Sequence, residues 1–218
     1  MEKSIETIWK EGFIKNDALV APKLNDLYNQ KSIDIVEKFK RMYKINRIAI
    51  VAFAILIIPL SYITRMIYMG IPMSLLFIAI TIIAQKFSKQ LDTIDKNTSS
   101  YEYLSSFDKW VKDMIAINSK LSTFMYPYIF IAMVLGFWFI EVEGNILGSM
   151  LINGIIAEFP TTSLVNGFPI LLLIPFFLVI GILAFFGGKI GKWDINLVYG
   201  GILNKLEDLL SDMEELRK

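Results

Sequence analysis

Four stretches without a single Asp, Glu, Lys or Arg constrain this chain more than any other feature. They are residues 48–64, 66–84, 124–140 and 168–188, which are 17, 19, 17 and 21 residues long. A hydrocarbon core of about 30 Å takes about 20 apolar residues at about 1.5 Å rise each, so the two shortest runs must borrow a turn from their flanks. Lipid offers the backbone no hydrogen-bond partners, which leaves helices or a closed barrel. Barrel strands alternate polar and apolar residues, and residues 48–60 do not. The expected fold is all-α, a polytopic membrane protein with four transmembrane helices. Composition agrees: 55% of the residues are hydrophobic and the mean hydropathy is +0.53, above the about 45–50% apolar content of ordinary globular domains.

Only Arg65 separates the first two runs. The breakers Gly70 and Pro72 predict a turn around residues 65–72, with the second crossing from about Ile71 to Phe87. This makes residues 48–87 a transmembrane hairpin; a re-entrant hairpin is the alternative. Residues 124–188 hold the third and fourth helices, joined by an apolar loop over 141–167. The first apolar run starts only at residue 48, so no secretory leader is expected. Basic residues orient the chain: ten fall in residues 1–47, six in 85–123, five in 188–218, one in the 65–71 turn and none in 141–167. Basic residues concentrate on the cytoplasmic side, so both termini and the middle segment are expected there, at the cell (inner) membrane.

The polar segments 1–47, 88–123 and 189–218 are patterned as helices. Leu104, Phe107, Val111, Met114, Asn118, Leu121 and Met125 alternate spacings of three and four, as do Tyr199, Ile202, Leu206, Leu209, Met213 and Leu216. Such spacing marks a helix that buries a narrow, coiled-coil-like stripe. Ser99 followed by Glu102 reads as a helix start. Gly187, Gly188 and Gly191 with Lys189, Lys192 and Trp193 read as the bilayer edge and a bend before the last helix. The four spans are thus expected to extend inward as a cytoplasmic four-helix bundle.

For chemistry, the chain has no Cys and no His, which excludes disulfides, histidine triads, and zinc or haem sites built on those residues. No nucleotide-binding loop or zinc-protease motif occurs, and no cofactor is expected. None of the four spans holds an ionisable Asp, Glu, Lys or Arg, so proton-pump machinery is not visible. Their polar groups are hydroxyls such as Ser61, Ser74, Thr81, Tyr126 and Tyr128, which bond helix carbonyls or line a narrow pore. Basic residues over 38–44 follow from membrane orientation and require no nucleic acid.

Three candidate contact regions remain. The C-terminal seam of Leu206, Leu209, Met213 and Leu216 is a candidate surface for a soluble partner, with an acidic outer face at Glu207, Asp208, Asp212, Glu214 and Glu215. Ile5, Trp9 and Phe13 form a candidate membrane-surface stripe or a cap on the cytoplasmic helices. Glu141, Glu143 and Glu158 are a candidate external cation contact. The expected function is a non-enzymatic membrane-anchored interaction or regulatory scaffold that presents cytoplasmic helices to a soluble partner. The alternative is a subunit of a small oligomeric channel or transporter, and a homo-oligomer through the seam with Asn118 fits either.

Overall fold

The computed structural model describes residues 28–215 in full and, for residues 5–27, the helical path alone; Ile5, Trp9, Phe13 and Leu216 lie outside the described residues. In chain order the elements are α1 (Ile5–Ile63), α2 (Ile67–Asp92), α3 (Ser100–Trp138), β1 (Glu141–Val142), β2 (Asn145–Ile146), α4 (Leu147–Glu158), β3 (Leu164–Val165), β4 (Phe168–Pro169) and α5 (Ile170–Glu215). Helices α1, α2, α3 and α5 are each long and apolar enough to cross a membrane. Their apolar stretches leave most large side chains outward, among them Ile55, Leu56, Phe124, Ile174 and Phe185.

A small cluster of Ile57, Met73 and Ala132 lies within those stretches, but the main core sits beyond them. Val36 and Phe39 of α1, Leu91 of α2, Leu104, Phe107 and Val111 of α3, and Tyr199 and Leu206 of α5 share one buried cluster. The stretches of all four long helices richest in charge therefore meet at one end of the molecule, the polar end. The opposite end carries the α1–α2 turn and the two small hairpins. Packing is closest between α3 and α5 and between α1 and α2.

The α1–α2 turn is shorter than the sequence suggests. Helix α1 ends at Ile63, and α2 already begins at Ile67. Arg65 adopts φ 58°, the Met66 amide donates to Ser61 O at 2.7 Å, and the Arg65 amide donates to Tyr62 O at 3.1 Å. That pair of bonds is a Schellman closure with Arg65 in the left-handed position usually held by glycine. Gly70 and Pro72 thus lie inside α2 rather than in the turn. Gly70 permits contact instead: a Cβ there would collide with Ser61 Oγ.

At the start of α3, Ser99 Oγ accepts from the Glu102 amide at 3.3 Å, the cap expected from the sequence. The segment read as an apolar loop over 141–167 is two β-hairpins flanking a helix. β1 pairs antiparallel with β2, and β3 with β4. Their turns are Glu143-Gly144 (φ 52° and 81°) and Asn166-Gly167 (φ 48° and 84°). Two successive residues at positive φ make the type I′ turn whose twist suits a two-residue hairpin. The hairpins also close alike: Leu147 N donates to Ile140 O at 2.8 Å, and Ile170 N to Ser163 O at 3.0 Å. Each leads directly into a helix.

No break separates a last helix at residues 187–193: α5 runs continuously from Ile170 to Glu215. Gly187 and Gly191 serve helix packing: a Cβ on Gly187 would lie 2.7 Å from Ser122 O, and one on Gly191 would collide with Ser122 Oγ. Ser119 Oγ completes the contact by donating to Gly188 O at 2.9 Å. Small residues of this kind let two helices in an apolar medium approach until backbone meets backbone.

Candidate functional site

Two regions hold the chemistry. The first is the polar end, where aromatic rings from four helices interlock. Phe39 meets Phe107 edge-on at 5.3 Å, Trp110 edge-on at 5.7 Å and Tyr199 at 4.9 Å. Edge-on contacts at these separations add attraction beyond burial alone. Two ion pairs fasten the outside: Lys40 to Asp92 at 3.1 Å, and Lys96 to Glu37 at 2.7 Å. The Lys96 hydrogen bond holds the Glu37 carboxyl below its usual range, and Glu37 in turn raises the Lys96 ammonium. Tyr103 Oη and Trp110 Nε1 are buried there without a hydrogen-bond partner among the described residues.

The C-terminal seam belongs to this core. Leu206 and Leu209 are 2% and 6% exposed, and Met213 packs half-buried against them. In the folded chain Leu206 and Leu209 are turned to the core, where α5 packs against α3 and, over a smaller contact, α1. What α5 leaves in water is the acidic side, with Glu207, Asp208, Asp212, Glu214 and Glu215 all exposed. Tyr101 Oη donates to Glu214 Oε1 at 3.2 Å and ties that face to α3.

The second region is a cavity of about 470 Å³ between the four long helices, next to the aromatic core on the side of the apolar stretches. The α3 seam passes from one region into the other. Leu104, Phe107, Val111 and Met114 are buried in the core, whereas Asn118, Leu121 and Met125 line the cavity. Its walls are chiefly apolar, with Ile80, Ile83 and Phe87 from α2. Polar groups enter from three helices: Asn46 of α1, Asn118 of α3, and Asp194 and Tyr199 of α5. Asn46 Nδ2 donates to Tyr199 Oη at 3.1 Å, and Tyr43 Oη donates to Ala84 O at 3.2 Å. Tyr126 Oη donates to Asp194 Oδ2. Asp194 forms no ion pair among the described residues, and the side-chain amide of Asn118 makes no hydrogen bond among them.

Sequence reasoning passed over Asp194 because it lies six residues beyond the last charge-free run. The usable signal was a lone carboxylate on a helix that continues without a break from an apolar span. Most of the span hydroxyls are satisfied by helix carbonyls. Ser61 Oγ donates to Ile58 O, Thr81 Oγ1 to Phe77 O, and Ser74 Oγ crosses to Ala54 O of α1 at 2.9 Å. Tyr128 Oη likewise reaches Pro72 O at 3.1 Å.

The acidic residues of the hairpin end do not converge. Among the described residues no three acidic side chains are grouped closely enough to hold a metal ion. Glu143 occupies a hairpin turn, and Glu158 ends the 12-residue α4. Glu141 shares a second cavity with Arg65, whose positive charge opposes a cation there. The candidate contact of Glu141, Glu143 and Glu158 is therefore not assembled. Compared with protein-family models, with curated proteins and with solved structures, the chain matches none.

Proposed function

We propose that this chain is a non-enzymatic integral membrane protein whose polar end is a cytoplasmic four-helix bundle that docks a soluble protein. The observation that carries the reading is that the four long helices continue past their apolar stretches and fold around a common aromatic core. A lipid anchor alone has no need of that core, which gives the polar end a fixed shape and a surface of its own. The reading takes the acidic side of α5, Glu207 to Glu215, as the docking surface and a basic protein as its partner, because complementary charge steers encounter and rejects wrong partners. Both termini are assigned to the cytoplasmic face of the cell membrane on the distribution of basic residues.

The absence of native cysteine makes the orientation directly measurable. A single cysteine at Asn97, in the α2–α3 turn, is expected to resist an impermeant maleimide in intact cells and to react in inverted vesicles. A cysteine at Asn153, in α4, is expected to do the reverse. Docking is tested by crosslinking in membranes, followed by comparison of the wild-type protein with the E207K/D208K/D212K variant. Selective loss of one or a few captured soluble proteins supports the reading. An unchanged set of captured proteins in a correctly folded variant overturns it.

A further inference from the structure

We propose that the cavity between the four long helices binds an amphiphile from the membrane, with an apolar tail and a protonated amine head, and that Asp194 is the counter-charge for that head. At about 470 Å³ the cavity lies within the about 300–1,000 Å³ of small-molecule sites, and like them it joins apolar walls to a few converging polar groups. Among the described residues neither Lys nor Arg lines it, and Asp194 is the one charged residue on its wall. A carboxylate has about four acceptor positions, and Asp194 receives one hydrogen bond, from Tyr126. Asp194 is half-buried and forms no ion pair among the described residues, so its carboxylate is free to pair with an incoming ammonium. Rings of Tyr43, Tyr128 and Tyr199 also line the cavity, and aromatic faces attract ammonium groups.

The cavity opens sideways where the apolar stretches begin. Phe124, at the start of the apolar stretch of α3, lines it and is 76% exposed, while Ile117 and Val198, just outside the charge-free runs, are 43% and 45% exposed. An amphiphile dissolved in the bilayer can therefore enter sideways, tail among Ile80, Ile83 and Leu121, with its head toward Asp194 and the unengaged Asn118 amide. An anionic headgroup would meet Asp194 with like charge. A neutral chain would fill the volume and leave the carboxylate unpaired. This site is independent of protein docking at the polar end.

The test uses the full chain in non-ionic maltoside micelles, with dodecylamine and dodecanol as probes of equal tail length. Binding is read from the thermal unfolding midpoint against probe mole fraction, with native mass spectrometry counting adducts. The wild-type protein is expected to take up one equivalent of amine, with an apparent affinity at least about tenfold above that for the alcohol. Asp194→Asn should abolish that preference and leave alcohol binding unchanged. Tyr126→Phe should retain it, because the charge remains. Ile80→Trp, which fills the cavity, should abolish binding of both. Equal affinity of the wild-type protein for amine and alcohol would overturn the proposal, as would a preference that survives Asp194→Asn or binding that survives Ile80→Trp. The wild-type comparison and Ile80→Trp decide the matter even where Asp194→Asn fails to fold.

Discussion

At the scale of single residues, this protein is held together by glycines whose neighbours differ sharply. Gly187 faces the backbone of α3, with Ser122 O 2.7 Å and Thr123 Cα 2.9 Å from where a Cβ would sit. Backbone cannot rotate aside as a side chain can, so Gly187→Ala must push α3 and α5 apart. Its expected cost is about 2 kcal/mol, within the range for overpacking a tight contact. Gly181, two turns earlier on the same helix, has nothing within 4 Å of its would-be Cβ. There Gly→Ala should raise stability by up to about 1 kcal/mol, because glycine is a poor helix former. Thermal unfolding of both variants in the same detergent checks the contrast, and equal effects would remove the assigned role of Gly187. Tyr103 gives the converse case. The residue is 3% exposed and its hydroxyl has no partner among the described residues, so Tyr103→Phe should keep the packing and relieve an unsatisfied polar group. The expected gain is about 1 kcal/mol in unfolding free energy.

At the scale of elements, the long helices were legible in the sequence, whereas their ends and small connections were not. Charge-free runs mark α1, α2, α3 and α5 because lipid imposes length and apolarity together. The Ser99–Glu102 cap was legible because its chemistry is local. The turn at Arg65 was not, since a non-glycine residue carries out the left-handed step and the nearby Gly70 and Pro72 drew attention away. Gly70 is there because α2 meets Ser61 of α1 immediately after the turn, a relation between two helices that no local pattern records. The same holds for the seam of Leu206 and Leu209: spacing announced an apolar stripe but not that α3 and α1 of the same chain would pack against it. Asn166-Gly167 is a strong hairpin signal that went unread because the flanking strands are two residues each. Coupling between Gly70 and Ser61 can be measured. Gly70→Ala alone should cost about 1–3 kcal/mol, and Ser61→Gly in the same chain should recover part of it. Additive effects of the two substitutions in thermal unfolding would show that they do not press on each other.

At the scale of the whole molecule, stability is divided unevenly. Only 6% of the most apolar window of α5 is buried within the chain, which leaves that part of the helix with an apolar surface compatible with lipid. The polar end relies on its own core and on charges that titrate. Glu37 bonds Lys96 across the junction between α1 and the α2–α3 turn, and its carboxyl is held below the usual value of 4.5 by that bond. A carboxyl lowered in the folded state adds stability above its unfolded value, and that stability is lost as pH falls through the folded value. Lys96, raised above 10.5 chiefly by the same bond, adds stability that is lost only as pH rises through its folded value. Both groups are thus charged throughout the neutral range, where the pair contributes without change. Both side chains are about half exposed, at 52% for Lys96 and 49% for Glu37, so solvent screening keeps the effect small. The expected signature lies in the difference between the wild-type protein and Glu37→Gln. Unfolding midpoints should differ by a small, constant amount near neutral pH and converge in acid, once the carboxyl is protonated in the folded protein. A difference that persists unchanged below the carboxylate range would mean that Glu37 acts through packing rather than charge.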